Sequence, residues 1–502
     1  MDAARKGRPP PEAADEGRMP IVERLLEYRR ADYVAFHTPG HKRGAGAPGA
    51  LHDLVGVMLS LDMCVMPGFE DSLQSAHAVA AGEALAARAW GADRAFLLTN
   101  GSSGGLQSLV LAVASPGETI IVPRNTHQAL LTGIVLSGAM PVYVDPLIDD
   151  EWGIALAVPP GRVDRVLRDA PAARAVFVTS PTYQGCCADV ASMTTMSHEA
   201  GVPLVVDQAW GAHLRFCDLL PADAMSLGAD AIVTSVHKLL AGITQASLVA
   251  ARGGRLDLDR LETMARMLQS TSQLALILAS IDAARAQMLG EGQALWARAV
   301  ELAESARARI RRLPGLRCLG DEVLAREGVA AFDPTRLTFS AADLGVSGQQ
   351  LEMLLRDRYH IAVEAADVLN VVCNVTWADS AASVDALVDA LADVAAREAG
   401  GGAAPAARQA LRLPPPPFTR LVMSPRDAFF GAAQPVPVEQ SAGRVSAEIV
   451  TPYPPGIPVL GPGEEIGAET VAFLVEARRR GLAVVGARDT SLTTLHVVAG
   501  AG

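Results

Sequence analysis

A chain of 502 residues, half of them hydrophobic, has room for roughly two to four domains at ~100–200 residues each. With 43 lysines and arginines against 55 aspartates and glutamates, the formal net charge of −12 disfavours a nucleic-acid groove or an anionic membrane surface as partner and suits small-molecule chemistry. The six cysteines, Cys64, Cys186, Cys187, Cys217, Cys318 and Cys373, lack any paired CxxC spacing, so no cysteine metal site is expected and reduced thiols in a cytoplasm fit best.

The opening MDAARKGRPPPEAADEGRMP is polar and proline-rich and lacks the apolar core of a signal peptide, so it reads as a loose arm within an N-terminal segment, 1–77. No run reaches the ~18 apolar residues of a membrane span. From residue 78 the periods alternate. AVAAGEALAARAW is helical, RAFLLTN is a short strand, and GSSGGLQSLVLAVA is a tight turn opening a second helix. The strands ETIIVP, MPVYVD, RAVFVTS, PLVVDQ and ADAIVTS follow, separated by helical stretches such as THQALLTGIVLSG and MTTMSHEAG. This alternation predicts an α/β domain over 78–300 with a mainly parallel sheet covered on both faces. Long helical periodicity begins near residue 256 and passes into a mixed segment, read as a smaller α/β domain over 301–399. GGGAAPAARQALRLPPPP reads as a linker, 400–417, and the turn-rich remainder, 418–502, as a small third domain.

Ligands of open parallel sheets collect beyond the carboxyl ends of the strands, so strand-end residues are read together. Lys238, in TSVHKLLAG, sits where an apolar strand gives out, and a buried ammonium costs several kcal/mol. Either the lysine reaches solvent or its charge is consumed chemically. Asp207 ends the preceding strand 31 residues earlier (238 − 207), and His127 follows another. Asn100 to Gly104, NGSSG, form a turn whose amides and hydroxyls suit a phosphate. A lysine for a Schiff base, an acid facing a pyridinium nitrogen and a phosphate cradle are what pyridoxal phosphate demands. Ala209 and His127 are the right sizes to cover the two ring faces.

The ordered motifs FHTPGHKRG, LTNGSSGG, VPRNTHQA, TSPTYQG, VDQAWGAH and SVHKLLAGITQASLV resemble the bacterial ornithine/lysine/arginine decarboxylase family, short form, with an aspartate-aminotransferase-like fold (pyridoxal-phosphate fold type I). The resemblance continues through LQSTSQ and DPTRL to SPRDAFFGA and GRVSAEIVTPYPPGIPVLGPGE in the last domain, covering nearly the whole chain from about residue 20. It implies Lys238 as Schiff-base lysine, Asp207 as pyridinium partner and His127 as ring-stacking group. It further implies Ser102, Ser103 and Gly104 on the phosphate, with Ser235 and His237 assisting. Because such sites form at dimer interfaces, Thr271, within Ser270–Ser272, is expected to reach a neighbour's phosphate, and His37 to Lys42 to line a neighbour's site.

The implied reaction is decarboxylation of a basic amino acid, arginine first and then lysine or ornithine, giving a polyamine precursor. Glu439, Glu448, Glu364, Asp71 and His37 are the candidate substrate contacts. Arg336 and Arg444 are the arginines that could clamp a carboxylate. Two departures stand out: Gln208 and Trp210 in Asp-Gln-Ala-Trp, where the family commonly has Asp-Glu-Ala-His, and Gln440 where it usually has an acid. Both glutamines are expected to remove negative charge near the site. They leave open transamination or oxidative chemistry on the same cofactor; a non-catalytic regulatory protein is the remaining alternative.

Overall fold

The structure, a computed structural model, describes residues 16–31, 33–65, 76–398, 404–414, 417–453 and 457–500. Residues 1–15 of the expected arm and Asp71 lie outside these. The central sheet has seven strands: β1 (Arg94–Leu98), β2 (Thr119–Pro123), β3 (Met140–Val144), β4 (Val176–Thr179), β5 (Leu204–Asp207), β6 (Ala231–Ser235) and β7 (Ser247–Ala251). Their order is β1-β7-β6-β5-β4-β2-β3. Only β7 runs antiparallel, against both β6 and β1.

β7 is the strand the sequence reading missed. A parallel neighbour needs a crossover helix, which leaves a helical period in the sequence, whereas an antiparallel one returns through a short loop. Here residues 236–246 suffice, and the apolar SLVAA merges with the stretch before it.

Alternate residues along the strands enter two separate cores. Leu97, Ile121, Val206, Ile232 and Leu248 pack on one face. Phe96, Leu98, Ile120, Val122, Val205, Val233 and Val249 pack on the other. Both faces are therefore covered, as near-continuous apolar strands require. The helix Gly101–Val113 starts directly from β1, and its Gly105 lies so close to the sheet that a Cβ would come within 2.6 Å of Val233 Cγ2. This close approach sets the first helical turn beside the end of β6.

The 36-residue helix Ala275–Ile310 links two domains: Trp296 and Ala299 belong to the large-domain core, while Ala303, Ala306 and Ile310 belong to the next. That second core lies on an antiparallel sheet in the order Arg317–Cys318, Arg336–Ser340, Val371–Asn374, Ala365–Ala366. Within the N-terminal segment, helix Pro20–Arg30 is docked, with Ile21, Leu25 and Tyr28 buried and the Ile21 N–H donating to Asp282 Oδ2 at 2.9 Å. The segment read as a linker contains a helix, Ala404–Leu411, whose Arg408 pairs with Asp343. The last domain has its own core of Val450, Leu460, Ile466, Leu474, Leu495 and Val497. A buried ion pair, Arg124 with Glu464, ties it to the large domain. Among the described residues no helix is long and apolar enough to cross a membrane.

Candidate active site

Beyond the carboxyl ends of β1, β2, β4, β5 and β6 lies a cavity of about 350 Å³ whose wall includes Ser102, His127, Thr179, Asp207, Ser235 and Lys238. All come from a strand end or the turn after it, Ser235 and Lys238 sharing β6, which is where an open α/β sheet gathers ligand-binding groups. Lys238 stands in a one-turn helix, Val236–Leu239, directly after β6. Its Nζ lies 3.7 Å from the centroid of the Trp210 ring. Enclosure of the amine brings its pKa down from 10.5 to about 8; the Asp207 carboxylate opposes this shift, Arg336 adds to it and Glu364 opposes it. The lysine is half-buried, and its charge is more easily given up than that of an exposed lysine. At neutral pH a usable fraction is free amine.

His127 caps the helix Gln128–Ser137, its Nδ1 accepting the Ala129 N–H at 3.1 Å. An accepting Nδ1 places the ring proton on Nε2. Desolvation by the surrounding protein holds the imidazole below its ordinary pKa, against the pull of Asp207 and with the push of Lys238, which favours the neutral ring, although its face is open to the cavity. Asp207 ends β5 and is itself buried, its Oδ1 accepting the Ala209 N–H at 3.1 Å. The Ser102 and Ser235 hydroxyls, both buried, meet at 2.7 Å and join the two turns. His237 is fixed by its Nδ1, 2.8 Å from the Ala246 carbonyl.

Two observations bear on what the cavity can hold. The helix Gly101–Val113 opens on it without a side-chain cap from Asn100, leaving first-turn N–H groups available to an anion. Thr179 Oγ1 is buried in the same wall with no hydrogen-bond partner among the described residues. An enclosed amine, a facing carboxylate, a flat neutral ring and an uncapped helix start fit pyridoxal phosphate.

Of the residues expected here, Ser102, Ser103, His127, Asp207, Ala209, Ser235, His237 and Lys238 line the cavity. Gly104 stands behind the wall, its N–H donating to the Asn100 carbonyl at 3.3 Å. Thr271 is exposed and outside the cavity wall, and His37 bonds to the Tyr28 hydroxyl at 2.8 Å. The C-terminal acids are occupied elsewhere. Glu448 is buried and accepts the Arg488 and His496 N–H groups, each at 2.8 Å. Glu439 pairs with Arg478 at 2.5 Å, and Gln440 is exposed. Glu364 is exposed, accepting from Asn374 Nδ2 at 2.8 Å. Arg444 reaches toward the Val498 carbonyl at 3.4 Å, within its own domain.

Gln208 corrects a sequence expectation. Its side chain is 1 % exposed and turned away from the cavity; its Oε1 accepts the Ala224 N–H at 2.7 Å and its Nε2 donates to the Gly211 carbonyl at 3.2 Å. The amide supplies one acceptor and one donor to a buried loop, where a carboxylate would supply acceptors only. It is therefore no sign of altered charge at the reacting centre. Sequence reasoning noted Trp210 only as a departure and missed it as the partner of Lys238; it also passed over Thr179, Thr182 and Tyr183 in the wall. Their signal was available, since TSPTY follows the end of β4 directly.

The Orn/Lys/Arg decarboxylase major-domain family matches residues 19–383, and the corresponding C-terminal-domain family matches residues 410–481. An arginine decarboxylase of Bacillus subtilis is 37 % identical over 95 % of this chain and 97 % of its own length. That of Halalkalibacterium halodurans is 38 % identical over the same shares. Among solved structures, lysine decarboxylase A from Pseudomonas aeruginosa superposes with a TM-score of 0.81 at 22 % identity, covering 97 % of this chain and 81 % of that one, which shows the fold. With these matches spanning both large and C-terminal domains around a lysine-centred cavity, the chain belongs to the Orn/Lys/Arg decarboxylase family, as an amino-acid decarboxylase whose cofactor is pyridoxal phosphate.

Proposed function

We propose that this chain is an arginine decarboxylase, releasing carbon dioxide from arginine and giving agmatine, a polyamine precursor. The observation that carries the reading is the near-full-length similarity to proteins named arginine decarboxylase, in a chain whose cavity holds Lys238 and Asp207 together. Lys238, Asp207 and His127 are assigned the catalytic roles. Ser102, Ser103 and Ser235 are assigned to the cofactor's phosphate with His237 beside them, and Ala209 to its ring. A homodimer in the cytoplasm is the assembly proposed. The exposed Val34, Phe36 and Leu54, 80 % exposed or more, support burial against a second copy, as does the outward-facing Thr271.

Bound pyridoxal phosphate supplies the electron sink that accepts the pair left behind when carbon dioxide departs. The chain's own residues do the rest. Asp207 presents a fixed negative charge to the base of the cavity, and His127 offers a flat uncharged face held rigid by its cap. Lys238, with a pKa of about 8, exchanges a proton readily near neutral pH, and its protonated form is steadied by the Trp210 ring face. Its Nζ is the donor that returns a proton to the carbon the carboxylate has left. Overall one proton is consumed and one carbon dioxide is released for each amine formed. Among the candidate acids in the described residues, Glu364 is the one whose charge acts on Lys238, His237 and Arg336, so it is assigned to the substrate's cationic end.

The test is kcat/KM for arginine, lysine and ornithine with the cofactor-loaded protein. Arginine is expected to lead by at least about tenfold, an advantage of about 1.4 kcal/mol. A preference for lysine or ornithine would overturn the substrate assignment while leaving the family unchanged.

A further inference from the structure

Arg336 was one of two arginines available on paper to clamp the substrate carboxylate, and its surroundings argue for a different task. Its side chain is fully buried and outside the cavity wall. Nη2 donates to the Trp210 carbonyl at 2.6 Å, Nη1 donates to Asn374 Oδ1, and Nε lies 3.4 Å from Asp333 Oδ2. The guanidinium carbon stands 4.8 Å from the centroid of the Trp210 ring, the same ring that Lys238 Nζ approaches at 3.7 Å. Asp333 is held in turn. Its Oδ1 accepts the Thr335 N–H at 3.0 Å and the Thr335 hydroxyl at 2.6 Å, and its Oδ2 is 3.0 Å from His213 Nε2. Even the backbone makes room: Gly185 has φ +97°, and a Cβ there would come 2.8 Å from Arg336 Cγ.

A carboxylate clamp needs donors that face the ligand, as a free guanidinium fork would provide. Both terminal nitrogens of Arg336 are engaged within the protein. We propose that Arg336, anchored by Asp333 and Asn374, is a positioning residue that fixes the Trp210 indole against the Lys238 amine. This rests on the reading of Lys238 as the lysine that carries the cofactor, and is independent of which amino acid is decarboxylated.

The charged and titratable groups facing Lys238 are Asp207 and His127 from the large domain, and Arg336 and Glu364 from the small one; His237 is adjacent in sequence. Of these, Arg336 is the buried cation, and its repulsion helps keep the amine free of its proton. The indole acts oppositely, since its face attracts the ammonium.

Because the signs are opposite, the two contributions are separated by changing Arg336 and Trp210 singly and together. The rate of cofactor attachment to the full-length protein is measured against pH, without substrate, and kcat and KM are measured separately. Arg336→Met both removes the repulsion and frees the indole, which act oppositely on the midpoint, so it is expected to lower kcat at least about tenfold with KM held within about threefold, and Trp210→Phe made in that background is expected to shift the midpoint less than Trp210→Phe does in the parent. Arg336→Lys should restore part of the lost kcat. A raised KM with kcat and midpoint unchanged would make Arg336 a substrate clamp and overturn the proposal. Should Arg336→Met fail to fold, Trp210→Phe decides the matter, because the weaker ring face should lower the midpoint. A midpoint unmoved in Trp210→Phe would refute the role given to the indole.

Discussion

The cavity wall and the C-terminal domain both carry acids and motifs that a sequence reading assigns to the site, yet the two regions use them differently. In the wall, the Asp207 carboxylate acts on the ionisation of both His127 and Lys238, and Lys238 on that of His127. In the C-terminal domain, Glu448 accepts two backbone N–H groups and Glu439 pairs with an arginine. A buried carboxylate whose acceptor sites are filled by the backbone organises its own domain. One with an acceptor site left toward a cavity is available to a ligand. What separates structural from functional acids here is the supply of local donors.

The largest effect that would sharpen this contrast is at Lys238. Lys238→Ala is expected to abolish covalent fixation of the cofactor by borohydride and to reduce turnover by at least about a thousandfold, the upper part of the range for removing a proton-transferring or nucleophilic group. Fixation equal to the parent's would remove Lys238 from the site. Asp207→Asn should cost kcat about a hundredfold while the fold persists, because it removes the charge facing both His127 and Lys238. Single-turnover rates and thermal melts on the same preparation separate the two quantities.

Glu448→Ala should do the reverse. Orphaning two N–H groups costs about 2–4 kcal/mol of stability, seen as a lower Tm, with KM for arginine within about threefold of the parent. A large KM change without loss of stability would break the contrast. Glu364→Gln should raise KM for arginine about tenfold at unchanged Tm, since a charge-assisted hydrogen bond is worth about 1.5–3 kcal/mol. The smallest effect expected is in pH. Only the free amine of Lys238 attacks, so cofactor attachment should accelerate as pH rises through about 8 and level off above it, well short of the 10.5 of an ordinary lysine. A midpoint near the ordinary value would mean that the amine is not enclosed.

How much of this was legible in the chain follows from the range of each interaction. The strand periods and the residues ending β1, β2, β5 and β6 are local, and they led directly to Ser102, His127, Asp207 and Lys238, with Ser235 added by the family resemblance. β7 escaped because no crossover helix announces it. The use of Gln208 escaped because its partners, Gly211 and Ala224, are chosen by a loop whose path the sequence does not display. The Trp210–Arg336 contact joins residues 126 apart from different domains, and nothing in local pattern encodes it. The helix Ala275–Ile310 carries one uninterrupted helical period from one core into the other, the change falling between Ala299 and Ala303.

The central claim is that the cavity around Lys238 removes the carboxyl group and returns a proton to the same carbon. The most direct test is turnover of arginine by the cofactor-loaded protein in heavy water, with carbon dioxide, amine and keto acid measured together. The account predicts one carbon dioxide for each agmatine, with a single deuterium on the carbon that bore the carboxylate. A keto acid in place of carbon dioxide would contradict it.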